Sequence, residues 1–335
     1  MQVSKEFLKE WRQKLNKIQS QNDFFSLSKE AFVFQYNNNE IYRKWCDLLK
    51  CDARKINSFE DIPFLPIELF KSHNITCSVQ QKEEDYFLSS GTASLRRSKH
   101  LVYSKDYYIE NTFDCFSQFF KGVENYAFIC LLPNYLEQGH SSLICMMDAF
   151  VKKSHYKQSG FYANDLKEVA NILLDNKRQN IPTILFGVTY ALLDLAENYE
   201  LNLSNTIIFE TGGMKGRRKE LPKKEVHDIL KQRFKVSNIA SEYGMCELFS
   251  QAYSKGNGVF LTPKQMSVFI KEINDYKNIL TENKRGIINI IDLANITSCC
   301  FIETQDLGIK FANKSFGILG RVEYSDIRGC NLMYQ

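Results

Sequence analysis

The chain has 335 residues, enough to bury a large core as one big domain or two modest ones. Its 44% hydrophobic and 24% charged residues are ordinary for a soluble globular protein. The net charge of +4, from 43 basic and 39 acidic residues, is too balanced for a nucleic-acid binder, which needs a basic stripe on one face. The only dense basic spots are Lys215-Gly216-Arg217-Arg218-Lys219 and Arg96-Arg97-x-Lys99, and each alone reads as a solvated loop.

The first twenty or so residues are charged and amphipathic, with no apolar signal-peptide core. No apolar run approaches the ~18 residues that a membrane span needs. Ten cysteines in a long chain without a secretion signal suggest reduced thiols and a cytoplasmic setting. No Cys-x-x-Cys and no paired His/Cys spacing is present, which argues against a structural zinc.

Val3, Phe7, Leu8, Trp11, Leu15 and Ile18 recur at helical spacing, so the chain opens with an amphipathic helix. A second helical stretch is expected over 29–49, and Pro63 and Pro66 then impose extended structure. Residues 1–84 therefore read as a helical section packed on a core spanning 85–335, the two forming one structural unit. From Asp85 the rhythm becomes strand, helix, strand, helix. Strands are expected at 86–88, 126–132, 183–188 and 206–210. Helices are expected at 106–120 and 165–174, after Thr189 as a cap, and after Pro222. Such alternation means an α/β fold with a parallel sheet covered on both faces, and ligands bind at loops on the carboxyl ends of its strands. Beyond Gly258 the pattern turns β-rich, with strands expected at 267–272, 286–292, 298–304 and 308–311.

Four loops could carry chemistry. Ser89-Ser90-Gly91-Thr92, followed by Ala93-Ser94 and the basic cluster, leaves backbone N–H groups free for an anion. It is not a Walker A loop, and alone it is a weak signal that a plain Ser-rich turn also explains. Tyr243-Gly244-Met245-Cys246-Glu247 joins an aromatic ring, a tight-turn glycine and a carboxylate suited to magnesium, but is equally a loop glycine and a solvated acid. Asp306, in Thr304-Gln305-Asp306-Leu307-Gly308, could accept ribose hydroxyls or serve an ordinary turn. Gly320-Arg321 precedes Asp326-Ile327-Arg328-Gly329-Cys330.

Together with Thr211-Gly212-Gly213, these segments resemble, in order, the signature segments of the adenylate-forming superfamily. The phrases YFLSSGTAS, LLPNYLEQGHSSL, TGGMKGRRKEL, YGMCELFSQAY, IETQDLG and GRVEYSDIRGC are similar to the LuxE-type acyl-protein synthetases of that superfamily, from about Asp85 onward. The resemblance implies the large domain of the adenylate-forming fold, parallel sheets covered by helices plus a β-rich layer, without the mobile C-terminal lid domain. It implies ATP and Mg²⁺ as cofactors and a fatty or other carboxylic acid as substrate. The acyl-acceptor partner would be a protein such as a fatty-acyl reductase or a carrier protein. Ser89, Ser90, Gly91 and Thr92 would hold phosphates, Gly212 and Gly213 the adenine side, Tyr243 and Gly244 the adenine, Glu247 the magnesium, and Asp306 and Arg321 the ribose.

Cys330 would be the acyl-carrying nucleophile, with Arg328 lowering its pKa. Cys246 is the second candidate, whereas Cys299-Cys300 reads as core. The acyl pocket is expected from residues 135–147 and 186–193. The sequence departs from the superfamily pattern at Ala93-Ser94, in place of Thr-Gly, and at Cys246, in place of a threonine. The lysine that the lid domain supplies has no assigned equivalent. Two alternatives stand beside this assignment: an aryl- or amino-acid-adenylating ligase delivering to CoA or a carrier protein, and a non-catalytic nucleotide-binding homologue.

Overall fold

The computed structural model describes residues 3–77, 85–89, 97–132, 140–162, 165–212, 221–273 and 275–322. The chain opens with α1 (Lys5–Asn16), capped by the Ser4 hydroxyl on Phe7 N and burying Phe7, Leu8, Trp11 and Leu15, the stripe expected from the spacing. The second helical stretch starts earlier than expected and is broken in two: α2 (Gln21–Asn38) and α3 (Glu40–Leu48) meet at Asn39. The break has a cause in one side chain. Asn39 caps Tyr42 N through Oδ1 and donates through Nδ2 to Ser298 O, 2.9 Å away, so its backbone leaves the helix to serve both.

These helices are tied deep into the rest of the chain. Trp11 Nε1 donates to Leu293 O at 2.7 Å, and Gln35 Nε2 donates to Asn295 O and Ile296 O. The Pro-bounded segment becomes strand β1 (Leu65–Pro66), followed by the short helix α4 (Leu69–Ser72). Next comes a hairpin of β2 (Tyr86–Leu88) and β3 (Lys99–Leu101).

The central sheet follows the expected alternation. Its strands are β4 (Ala127–Leu131), β5 (Gly160–Phe161), β6 (Thr183–Val188), β7 (Thr206–Thr211), β8 (Ala240–Tyr243) and β9 (Ala252–Ser254). They lie in the order β5-β4-β6-β7-β8-β9, parallel except for β9. Every residue of β4 and β6 is buried, as parallel strands covered on both faces require. One face packs on α5 (Lys105–Ser117) and α6 (Ser142–Lys153), where Phe116, Phe128, Phe150, Phe209 and Tyr253 interlock. Helix α7 (Leu166–Arg178), capped by Asp165, leads into β6. The opposite face of the sheet carries α8 (Thr189–Asn198), whose Leu192 lies against Gly187, and α9 (Lys223–Phe234).

Two expectations change here. Helix α6 falls where the sequence suggested only pocket-lining residues, with Ser141 as its cap. Thr189 is the first residue of α8 rather than its cap; Val188 holds the cap position, and the Thr189 hydroxyl is used elsewhere. The β-rich layer is a second sheet built from β10 (Val259–Phe260), β11 (Met266–Glu272), β12 (Asp275–Ile279), β13 (Arg285–Asp292), β14 (Phe301–Lys310) and β15 (Phe316–Arg321). The stretches expected as two strands, 298–304 and 308–311, are the single strand β14. It stays unbroken because β13 pairs along it from Phe301 to Ile309, while two strands share its other edge. β1 pairs with Ile302 and Glu303, and β15 pairs with Asp306 to Lys310. Pro66 is tolerated because β1 is an edge strand.

Candidate functional site

The carboxyl ends of β7 and β8 meet the β14–β15 pair and the β2–β3 hairpin. At the hairpin, Ser89 and Ser98 lie just beyond the last ladder pair. Ser89 N donates to Ser98 O at 3.1 Å, and Ser98 N donates to Ser89 Oγ at 2.9 Å. Arg97 Nε donates to Ser89 O at 2.6 Å, so one basic residue of the cluster braces the base of the loop. Ser90, Gly91 and Thr92 themselves lie outside the described residues, as do Arg96, Gly213, Asp326, Arg328 and Cys330.

β8 delivers the second segment. Tyr243 is buried, with 8% exposure, and packs edge-on against Phe260 and Phe316. Its Oη donates to Asp306 Oδ2 at 2.8 Å, joining residues 63 apart. Asp306 and Arg321 are opposite one another across β14 and β15. Burial pushes the Asp306 carboxyl up, while the Tyr243 hydroxyl and the Arg321 charge pull it back. Arg321 Nη2 also donates to Gln305 Oε1 at 3.2 Å. The structure therefore brings Tyr243, Asp306 and Arg321 together. Gly244 is exposed, and a Cβ there would stand 2.3 Å from Glu242 Oε1, so the chain needs a glycine or a displaced Glu242 at this turn.

Glu247 is 5% exposed, buried rather than solvated. Burial raises its pKa; a hydrogen bond from Ser98 and the positive charges of Arg321 and Lys71 act the other way. A carboxylate from the second segment thus touches the base of the first. Cys246 is buried as well, and burial pushes its thiol well up, so the neutral form dominates. Cys299 and Cys300 are fully buried core residues, as expected. The cysteines among the described residues are free thiols.

Several supporting residues escaped the sequence. His100 on β3 lies with Nδ1 2.7 Å from Cys246 O and Nε2 3.1 Å from Asn295 Oδ1, and burial holds its pKa down at about 4. Asn295 Nδ2 donates to Glu247 O at 2.8 Å, so His100 and Asn295 clamp the two carbonyls around the Glu247 position. At the end of β7, buried Glu210 receives the Thr189 hydroxyl on Oε1, and its Oε2 lies 3.4 Å from both His227 Nε2 and Lys223 Nζ. Glu242, facing Thr211, has a carboxyl that burial pushes up to about 7. The available signal was an acidic residue in the next-to-last position of β7 and of β8.

Gly212, the described half of the glycine pair, has φ 72°, a left-handed conformation that glycine adopts without strain. Of the residues expected to line an acyl pocket, Cys145, Met146, Met147, Phe186, Val188 and Leu192 are all buried. A cavity of about 560 Å³ bordered by Trp45, Leu48, Pro66 and Leu69 lies beside α4 and involves none of them. Among the described residues no group of three or more His, Cys, Asp or Glu could hold a metal ion by itself. No helix among them is long and apolar enough to cross a membrane.

With this geometry in hand, the chain can be set beside known proteins. Residues 13–125 match the family described as acyl-protein synthetase, LuxE. The likeness therefore includes the N-terminal helices and is not confined to the part after Asp85. Long-chain-fatty-acid–luciferin-component ligases are similar in sequence. The one from Aliivibrio fischeri is 31% identical over 70 residues, 21% of this chain and 18% of that protein. The one from Photorhabdus luminescens is 34% identical over 67 residues, 20% of this chain and 57% of that protein. The matched stretches thus span less than two thirds of these relatives' own lengths.

In fold, the chain resembles 2-hydroxyisobutyryl-CoA ligase in complex with 2-HIB-AMP and CoA. The TM-score is 0.66 at 11% identity, covering 90% of this chain and 75% of that one. It also resembles ATP-bound MatB from Rhodopseudomonas palustris, with a TM-score of 0.54 at 14% identity over 70% of this chain and 47% of that one. The chain is LuxE-like in sequence over its N-terminal third, and its α/β fold resembles that of adenylate-forming ligases.

Proposed function

We propose that this protein binds ATP and activates a carboxylic acid, with fatty acids as the leading class, as an acyl-adenylate, then passes the acyl group to a thiol. The observation that carries this is the convergence of Tyr243, Asp306 and Arg321 with the Glu247–Ser98 contact, at the carboxyl edge of a parallel sheet. The LuxE likeness and the fold support it.

In the first step a carboxylate oxygen of the acid attacks the α-phosphorus and pyrophosphate leaves. Negative charge accumulates on phosphate oxygens, so catalysis is positioning and charge neutralisation. Ser89 to Thr92 and the basic cluster would receive the phosphates. Asp306, held by Tyr243, and Arg321 would take the ribose, while Gly212, Gly213, Tyr243 and Gly244 border the adenine. Glu247 is the residue that would hold Mg²⁺, which is commonly bound by one or two carboxylates together with phosphate oxygens. That ion, when bound, neutralises charge on the phosphates.

In the second step a thiolate attacks the carbonyl carbon and AMP leaves. Cys330 is the proposed nucleophile. Cys246 is a poor one, because its thiol is buried and held neutral. A cytoplasmic setting, where thiols stay reduced, suits such an acyl carrier. The acceptor would be a partner protein such as a reductase or a carrier protein.

Acid-dependent pyrophosphate exchange across fatty, aryl and amino acids tests the first step and selects the acid class. Incubation with ATP, Mg²⁺ and labelled fatty acid, followed by intact mass with and without hydroxylamine, tests the second. The expected result is a hydroxylamine-labile adduct absent from Cys330→Ser and kept by Cys246→Ser. The reverse pattern overturns the nucleophile. ATP binding without exchange for any acid points instead to a non-catalytic nucleotide-binding homologue.

A further inference from the structure

We infer that Thr189 and Glu210 form a latch that fixes the Gly212 turn against the start of α8, and so act as positioning residues for the adenine side of the nucleotide site. The inference rests on the ATP-binding function proposed above.

The Thr189 hydroxyl sits between two acceptors. It donates to Glu210 Oε1, and it lies 3.1 Å from Gly212 O. A hydroxyl has one proton, so the two oxygens must share it or compete for it. The Glu210 side of the contact is held from behind. His227 Nε2 and Lys223 Nζ, both from α9, lie 3.4 Å from Oε2. Burial by itself would raise the Glu210 pKa, but these two partners and the Thr189 hydroxyl bring it below the ordinary value. A carboxylate kept ionised and 4% exposed pins the Thr189 side chain in one rotamer. The hydroxyl then stands at a fixed place beneath the Gly212 carbonyl.

Three elements meet at this point: the start of α8, the end of β7 and the first turn of α9. Gly212 follows directly on β7 with φ 72°, so the chain turns at the place where the latch grips it. Thr189, Glu210 and His227 are all buried, so solvent does not compete for these contacts. The function does not otherwise use them. Glu210 is a buried acid near the end of β7, a costly residue there unless something exploits it.

Calorimetric titration of the full chain with ATP·Mg²⁺ tests the latch, using Thr189→Val to remove the hydroxyl while keeping the branched shape. ATP Kd is expected to rise about tenfold, because the adenine-side turn is no longer held in place before the nucleotide arrives. The KM for the acid and kcat should stay within about twofold, and Thr189→Ser should restore ATP affinity. Glu210→Gln should act in the same direction, and it carries the test if Thr189→Val melts more than about 5 °C lower. An unchanged ATP Kd in both variants overturns the latch, as does an equal rise in the acid KM. Failure of the wild-type chain to bind ATP overturns the proposed function itself, and is told apart because it appears before any substitution is made.

Discussion

Asp292→Asn should destabilise the fold by about 3 kcal/mol, because the geometry at the end of β13 leaves an amide no good orientation. Asp292 is fully buried. Its Oδ2 accepts from Phe249 N and Ser250 N, each at 2.8 Å. Its Oδ1 accepts from Ser250 Oγ at 2.7 Å and Ala294 N at 3.2 Å. Burial pushes this carboxyl up, yet four donors and no acceptor face it, so the ionised form is the one the site satisfies.

An asparagine offers oxygen on one side and an NH₂ on the other. Turned with its oxygen toward Phe249 N and Ser250 N, it sets the NH₂ against Ala294 N–H. Turned the other way, it sets the NH₂ against two backbone donors. The better choice still orphans one buried N–H and replaces charge-assisted bonds with neutral ones, about 2–4 kcal/mol together. Urea unfolding measures it: the midpoint should fall by about 1 M with the slope unchanged. A loss below about 1 kcal/mol would refute the reasoning, since it would mean that the carboxylate is not what holds 249–250 to β13.

Glu242 makes a pH prediction. Its carboxyl is pushed up to about 7 from an ordinary 4.5, so between those values the folded chain binds more protons than the unfolded chain. Stability therefore falls as pH rises through that window and stays lowered above it. Glu242→Gln should flatten the slope and, at about pH 8, exceed the wild type by on the order of 2 kcal/mol after discounting for partial exposure. Thermal melts at about pH 5 and 8 check this, and parallel slopes for the two proteins would contradict it. Tyr243→Phe leaves the half-buried Asp306 carboxylate one donor short. It should raise the ATP KM about five- to tenfold with little effect on kcat, read from pyrophosphate exchange. An unchanged KM would remove the Tyr243–Asp306 contact from the nucleotide site.

Much of the fold was legible because it rests on local patterns. The α1 stripe and the buried strands β4 and β6 are each written in a few consecutive residues. The misreadings were non-local. Asn39 breaks a helix because Ser298, 259 positions away, takes its amide. β14 runs through Asp306 and Leu307 because β13 flanks it from Phe301 to Ile309 and β15 takes over from β1 on its other edge. Neither partner can be seen from the segment that responds to it.

The same division runs through the candidate site. The sequence by itself singled out the candidate segments, because the order in which they follow one another resembles that of a known family while each alone reads equally as an ordinary turn. It also placed Tyr243, Glu247, Asp306 and Arg321 among them. Only the tertiary structure decided that Tyr243 donates to Asp306, that Glu247 meets Ser98, and that His100 and Asn295 clamp the segment between. It also decided that Cys246 is buried and its thiol held neutral. The physical reason is common to all four: burial and hydrogen bonding depend on what packs from other elements, and charge states follow from burial.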